Sequence, residues 1–297
     1  MACLIDGDPI VYAAAFSAQK TIYFFENRKT GETIGLPSKV SLKRAGEFAK
    51  IIGISMQTHA LKKRKEIKSE GIACFAAKAI MTSIVEATED KCEAHKVFLT
   101  DTKRDKNYRD SIATLQPYKG NRTQDKPFHY DLIRSYLMEK YGAEMISGQE
   151  ADDELGIQAT ENIGNSIICS IDKDLLTVPG QHYNYSSKEW KSISEVEASR
   201  NFYTQMVEGD TTDNVPSLAK TLAILGNKEA GLDLIRHKYI KIAKEKLTNM
   251  LTEEEMFKYV FDLYTGYGVE EKYILEIGRL LRIRRKREEM WQFPKEL

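Results

Sequence analysis

The chain lacks most of the features that classify a sequence quickly. Its four cysteines, Cys3, Cys74, Cys92 and Cys169, stand far apart and form no C-x-x-C pair. That excludes a disulfide scaffold and a cysteine-built zinc module; two of them sit in apolar runs and read as buried thiols of a reducing compartment. The five histidines, at positions 59, 95, 129, 182 and 237, show no ligand spacing. G-x-S-x-G, P-loop and H-E-x-x-H patterns are all missing, which removes the serine hydrolases, P-loop NTPases and zincins that those motifs mark. The opening "MACLIDGDP" has no basic n-region, and no apolar run is read as reaching the ~20 residues that cross a bilayer. The expectation is a soluble protein of the cytoplasm. Nor is there a net charge: 44 Lys and Arg cancel 44 Asp and Glu. Overall charge therefore names no partner.

What the sequence does have is segregated charge. Residues 39–68 hold nine Lys or Arg against two acids, and "RLLRIRRKR" (279–287) holds six basic residues in nine. Two such blocks suggest a nucleic-acid surface. The acids cluster too: "EADDELG" (150–156) places Glu150, Asp152, Asp153 and Glu154 within five residues. Ser147 and Glu150 have capping-box spacing, so a helix start accounts for part of this cluster. It does not supply a counter-charge.

Strand-like and helix-like stretches alternate. "ACLIDG", "KVFLTD", "AEMIS" and "NSIICSID" read as strands, and "TIYFFENRKTGETIGL" reads as a hairpin. Helices are expected over about 39–52, 70–90 and 128–141, at "EADDELG", and throughout the region after "HYNYSS". This predicts an α/β fold, a mostly parallel central sheet with helices on both faces, followed by a helical C-terminal region. The expected division is a core over 1–190 and a helical DNA-binding region over 191–297.

Ligands of such sheets bind at the carboxyl ends of the strands. Three apolar runs end there in aspartate, at Asp6, Asp101 and Asp172, and the "EADD" cluster follows another strand. Asp174 and the pair Asp210 and Asp213 in "GDTTDN" extend the series. Carboxylates that converge cannot all stay ionised without a counter-charge. Hard divalent cations supply one, and two ions suit phosphodiester hydrolysis. Two Mg²⁺ ions are expected, with Mn²⁺ as substitute. In "YKGNR" (118–122), Lys119 and Arg122 are candidates to clamp the scissile phosphate, and Tyr118 to stack on a base. Arg104 and Arg109 upstream are further candidate DNA contacts.

The stretches "LIDGD", "FLTD", "YKGNR", "EADD", "SIDKDL" and "GDTTDN", in this order and spacing, resemble the 5′-nuclease (flap endonuclease) superfamily, closest to the bacteriophage 5′-3′ exonucleases. The resemblance covers about residues 3–216. It implies a metal-dependent nuclease of DNA replication or recombination, acting on DNA with 5′ ends, nicks or flaps and on RNA–DNA hybrid. It also implies a ligand set: Asp6, Asp101, Glu150 and Asp152 for the first ion, and Asp153, Asp172, Asp174 and Asp213 for the second, with Asp210 nearby. Lys119 and Arg122 match the phosphate-contacting loop. Three departures stand out. Only about 27 residues separate "YKGNR" from "EADD", which favours attack at 5′ ends over threading of long flaps. The 21–36 hairpin has no assigned role. After "GDTTDN" the glycine-rich helix-hairpin-helix turn is replaced by "VPSLAKTLAILGNKEAG", so Lys220, Lys228, Arg284 and Arg285 are expected to hold duplex electrostatically. Two other readings are weighed: a haloacid-dehalogenase-type phosphatase with Asp6 as nucleophile, which leaves "EADD" and "YKGNR" unused, and a non-catalytic nucleic-acid-binding relative, which gains nothing from carboxylates facing phosphate.

Overall fold

The computed structural model describes residues 1–37, 40–101 and 107–294. In chain order the elements are β1 (Ala2–Asp6), α1 (Asp8–Ser17), β2 (Gln19–Asn27), β3 (Thr33–Gly35), α2 (Ala45–Ile51), β4 (His59–Ile67), α3 (Glu70–Thr88), β5 (Ala94–Thr100), α4 (Tyr108–Ile112), α5 (Tyr130–Tyr141) and β6 (Glu144–Ile146). They continue with α6 (Ala151–Glu161), β7 (Ser166–Cys169), β8 (Gly180–Asn184), β9 (Glu189–Ile193), α7 (Glu195–Glu208), α8 (Leu218–Ile224), α9 (Lys228–Arg236), α10 (Tyr239–Thr248), α11 (Glu253–Gly266) and α12 (Glu271–Leu281). The chain forms two compact units, one of residues 1–10, 80–125 and 136–297, the other of residues 11–79 and 126–135. Helices α7 to α12 belong to the same unit as the main sheet.

That sheet has the order β6-β5-β1-β7-β8-β9. Its pairs are parallel except β8 with β9, which close the edge as an antiparallel hairpin. β1 is central because Cys3, Leu4 and Ile5 are apolar on successive residues and all fully buried, as a parallel strand covered on both faces requires. The chain passes from β1 to β5 and β6 on one side, then returns to β7 on the other. Such a switch point opens a crevice at the carboxyl ends of β1 and β7. Helix α6 covers this region by burying Ala151, Leu155 and Ala159 against Leu4, Phe98 and Ile168, a stripe at four-residue spacing.

The helical remainder packs Phe202, Tyr203, Met206, Phe257, Tyr264, Ile277 and their neighbours into a second core. Within it α8 and α9 are joined by residues 225–227, with Gly226 at φ +93°.

The smaller unit holds an antiparallel sheet of order β3-β2-β4. β2 and β3 form the expected hairpin. β4 was not expected: residues 59–67 pair along the whole of β2, from Gln19↔Ile67 to Asn27↔His59. The helix read over 39–52 shortens accordingly to α2, whose Ala45 and Ala49 pack on Phe25. The helix read over 70–90 is α3, 19 residues that are apolar and long enough, by composition alone, to span a bilayer. Ala73, Ala77, Met81, Ile84 and Thr88 are buried along it, the single stripe of an amphipathic core helix. The helical reading after "HYNYSS" also missed β9.

Candidate active site

Asp6 closes β1 at the crevice, 2% exposed, and Ser170 Oγ, just past β7, donates to its Oδ2 at 2.7 Å. Asp101 follows β5 and is held by its own N–H on Ile146 O at 2.8 Å. Asp172 and Asp174 follow β7, where the Asp174 N–H donates to Asp172 Oδ1 (2.9 Å) and Gln205 Nε2 to Asp174 Oδ1 (2.5 Å). Asp152 lies in the first turn of α6. Asp210 Oδ1 accepts the N–H groups of Thr212 (2.6 Å) and Asp213 (3.0 Å), which shapes the 210–215 loop and presents Asp213.

These acids fall into two electrostatic classes. One class has cationic partners. Glu150 is buried, yet Lys119 Nζ at 2.5 Å, Tyr118 OH at 3.1 Å and Asn107 Nδ2 at 3.0 Å surround it. Burial opposes its ionisation, but Lys119 and Arg109 outweigh that and hold the carboxyl down at about 2. Asp213 receives Arg122 Nη2 at 2.8 Å, Tyr118 OH at 2.5 Å and Lys119 Nζ at 3.5 Å.

The other class is crowded by its own kind. Asp6 is pushed up to about 8 by burial, then by Asp8 and, against the Ser170 hydrogen bond, by Asp172. Asp174 is pushed up to about 8 by burial, Asp172 and Asp210. Asp172 is raised by desolvation and by Asp213 and Asp210. Asp152 is raised well above the carboxylate range by burial, Asp6, Asp172 and Glu150. Among the described residues no protein group donates to its carboxylate. Burial and mutual repulsion disfavour the ionised form of all four, and a divalent cation is a counter-charge that would restore it.

The donor chemistry fits a hard cation: all oxygen, at the open edge of the sheet. Among the described residues no group of three or more His, Cys, Asp or Glu side chains stands together so as to hold a metal ion. Mg²⁺ needs none, since it keeps several waters and takes one or two carboxylates with substrate phosphate.

Several sequence expectations require correction. Asp153 is not open to a metal. Its carboxylate accepts Arg109 Nη1 (2.5 Å) and Nη2 (2.8 Å), the Arg284 N–H (3.0 Å) and the Glu150 N–H (3.2 Å), which fills its acceptor sites. Arg109 is therefore no DNA contact: it is 3% exposed, and it also donates to Leu280 O and Arg282 O. Tyr118, 6% exposed, spends its hydroxyl on Glu150 and Asp213, and its ring is not available to stack on a base. Arg284 lies 3.8 Å over the Tyr108 ring and donates to Gln149 Oε1, while Arg285 is tied to Glu195 and to Thr177 O. The run 279–287 is thus largely a structural strap. The N-cap of α6 is Glu150, closed by Asp153 rather than by Ser147. Lys119 and Arg122 do reach the acids. Lys220 and Lys228 are exposed on α8 and α9, and Arg104 lies outside the described residues.

Sequence reasoning missed Ser170 and Tyr185. Tyr185 follows β8, whose Tyr183 pairs with Cys169 of β7, so it stands beside the Asp172 turn. Its hydroxyl is buried with no hydrogen-bond partner. Burial, Asp6, Cys169, Asp152 and Asp172 all keep the phenol protonated, which makes it a neutral donor at the crevice. The alternation of "HYNY" was the signal that could have shown it.

No protein-family profile matches the chain, and no curated protein does either. Solved structures are similar in fold. The T5 D15 protein co-crystallised with metal ions aligns over 95% of this chain and 86% of its own, with 12% identity and a TM-score of 0.43. The bacteriophage T5 D15 flap endonuclease in a complex with DNA and metal ions aligns over 70% and 80%, with 17% identity and a TM-score of 0.42. The catalytic core of Rad2 in complex with DNA substrate aligns over 94% and 86%, with 11% identity and a TM-score of 0.35.

Proposed function

We propose that the chain is a metal-dependent 5′ nuclease that hydrolyses phosphodiesters of duplex, nicked or flapped DNA, and of RNA in RNA–DNA hybrid, in replication or recombination of a phage-type genome. The observation that carries this reading is the crowding of Asp6, Asp152, Asp172 and Asp174 next to a loop bearing two cations. Divalent ions, Mg²⁺ first and Mn²⁺ as substitute, would supply charge neutralisation and an activated water there. Asp6, Asp152, Asp172 and Asp174 would hold them, with Asp101, Glu150, Asp210 and Asp213 at the border of the same crevice.

The protein's own part is positioning and charge. Lys119 has φ +53°, and its N–H donates to Asp213 O at 2.8 Å, so the 117–122 loop is seated on the 210–214 loop. Asn214 Nδ2 on Pro117 O (2.8 Å) and Asn121 Nδ2 on Thr211 O (2.6 Å) fix it further. Lys119 and Arg122 rest on Glu150 and Asp213, and a scissile phosphate would compete for the same N–H donors. Burial acts against the charged form of Lys119, but Glu150 and Asp213 raise its pKa, so it stays an ammonium. A cation already desolvated and aimed acts most strongly on charge that develops in the transition state.

The test is digestion of 5′-labelled duplex, nicked and flapped DNA with Mg²⁺, with and without EDTA. Release of labelled short products that EDTA abolishes supports the reading. Cleavage unaffected by EDTA, or none on any of the three substrates, refutes it.

A further inference from the structure

Away from these acids, a cavity of about 370 Å³ opens between α11, α12 and the segment that follows α12. At its lining is Arg282, whose guanidinium stacks 5.0 Å from the Phe202 ring. Among the described residues no protein acceptor receives any of its N–H groups, and Nη1 is fully buried without a partner. Most arginines of this region are committed elsewhere: Arg109 to Asp153, Arg285 to Glu195, Arg287 to Glu154. Arg282 as a whole is half-buried, and a guanidinium is hard to neutralise, so a buried Nη1 without an acceptor is costly. Desolvation and the neighbouring Arg285 lower the guanidinium's pKa to about 10, against Glu253, Tyr203 and Glu289, which act to raise it without donating or accepting a hydrogen bond there.

The cavity is shaped rather than accidental. Trp291 forms one wall and packs where Gly278 has no side chain: a Cβ there would stand 2.3 Å from the indole ring. Arg279 Nε donates to Trp291 O at 3.0 Å and holds that wall. Arg284 and Tyr108 form another. Three exposed carboxylates, Glu253, Glu254 and Glu289, also line it.

We propose that this cavity binds a small phosphate monoester of nucleotide size, anchored by Arg282. A tetrahedral dianion suits a guanidinium fork with Arg279 and Arg284 beside it. The volume lies in the range of small-ligand sites. The exposed glutamates oppose a polyanionic strand and can accept from the amino group of a base, which favours a free nucleotide over a strand terminus. The binding does not depend on the nuclease reading. On that reading, however, the ligand is chemically the mononucleotide product, and the site would sense it.

The indole of Trp291 supplies the readout. The full chain, kept in EDTA so that the metal site plays no part, is titrated with dAMP, orthophosphate, deoxyadenosine and a 5′-phosphorylated decanucleotide while tryptophan fluorescence is followed. The expected result is saturation by dAMP below about 1 mM, weaker binding of orthophosphate and no response to deoxyadenosine. Arg282→Gln should weaken dAMP by about 10–100-fold. Glu289→Gln, a change on an exposed side chain, should bind dAMP no worse than the parent and the decanucleotide better. Equal responses to dAMP and deoxyadenosine, or none to dAMP, would overturn the site. Full affinity in a folded Arg282→Gln would overturn its anchor, and a decanucleotide that outcompetes dAMP would overturn the assignment to a free nucleotide.

Discussion

The two compact units carry opposite charge. The smaller one, residues 11–79 and 126–135, holds fifteen Lys and Arg against six Asp and Glu, and the larger holds 29 against 38. A net charge of zero conceals this completely. The units also use their charges differently. In the larger one the ion pairs around the acids are desolvated, Arg109 with Asp153 having side chains 3% and 0% exposed and Lys119 with Glu150 20% and 9%, while pairs on its helices such as Lys241 with Glu245 are open. In the smaller one they are open. Lys62 with Glu26 and Arg64 with Glu66, the latter at 3.8 Å, lie largely in solvent, where such pairs contribute about 1 kcal/mol or less. Charge is committed where the acids are, and only loosely held on the basic sheet.

The sharpest way to break this contrast is to remove an acid from the crowded class. Asp172→Asn should abolish cleavage while DNA binding is kept or improved, because a negative charge near phosphate is lost. Near-normal turnover at saturating Mg²⁺ would end the assignment. Removing a committed cation should act on stability instead. Arg109→Met leaves Asp153 buried and unpaired, and should cost about 3–5 kcal/mol in denaturant unfolding. A loss below about 1 kcal/mol would place that pair with the exposed ones.

Lys119→Ala tests a cation committed to the site itself. Turnover should fall about 10²–10³-fold with little change in affinity for DNA; a change in affinity alone would make Lys119 a positioning contact. The smallest effect is expected on the basic sheet. Lys63→Gln with Arg64→Gln should leave turnover at saturating DNA intact. It should flatten the slope of log binding constant against log salt by about 1 for each cation removed. The paired variant Arg284→Gln and Arg285→Gln should leave the slope unchanged, since both side chains already have protein acceptors. The reverse outcome would return the duplex grip to the 279–287 run.

Much of this was legible in the residues. The β-α alternation and the aspartates at strand ends are local signals, because a buried parallel strand must be apolar throughout and its carboxyl end must turn. β4 was not legible: "LKKRKEI" has neither apolar alternation nor turn signals, and it is a strand because nine residues of β2 pair with it. Tertiary pairing overrides propensity there. The acids were visible, but not their partners. Asp153 and Arg109 are 44 residues apart, and only the fold shows that one is a structural anchor while Asp152 beside it is not. Arg284 and Arg285 misled for the same reason: a run of basic residues reads as a surface until its acceptors are seen.

The seat of α6 has a consequence for how the protein is made. Gly156 lets the chain at residues 283–284 approach so closely that a Cβ would stand 2.4 Å from Arg284 O. The same stretch supplies Asp153 with the Arg284 N–H, and Arg109 with the carbonyls of Leu280 and Arg282. During translation those groups emerge more than a hundred residues after the acids they support. A ribosome-bound chain that has exposed Asp6, Asp101, Asp152 and Asp172, but not yet residues 280–284, can pack α6 on Leu4, Phe98 and Ile168 but lacks the Arg284 N–H at Asp153 and the carbonyls that hold Arg109. The Arg109–Asp153 pair under α6 is therefore incompletely held while the chain is still beside the messenger and the nucleic acids of the ribosome.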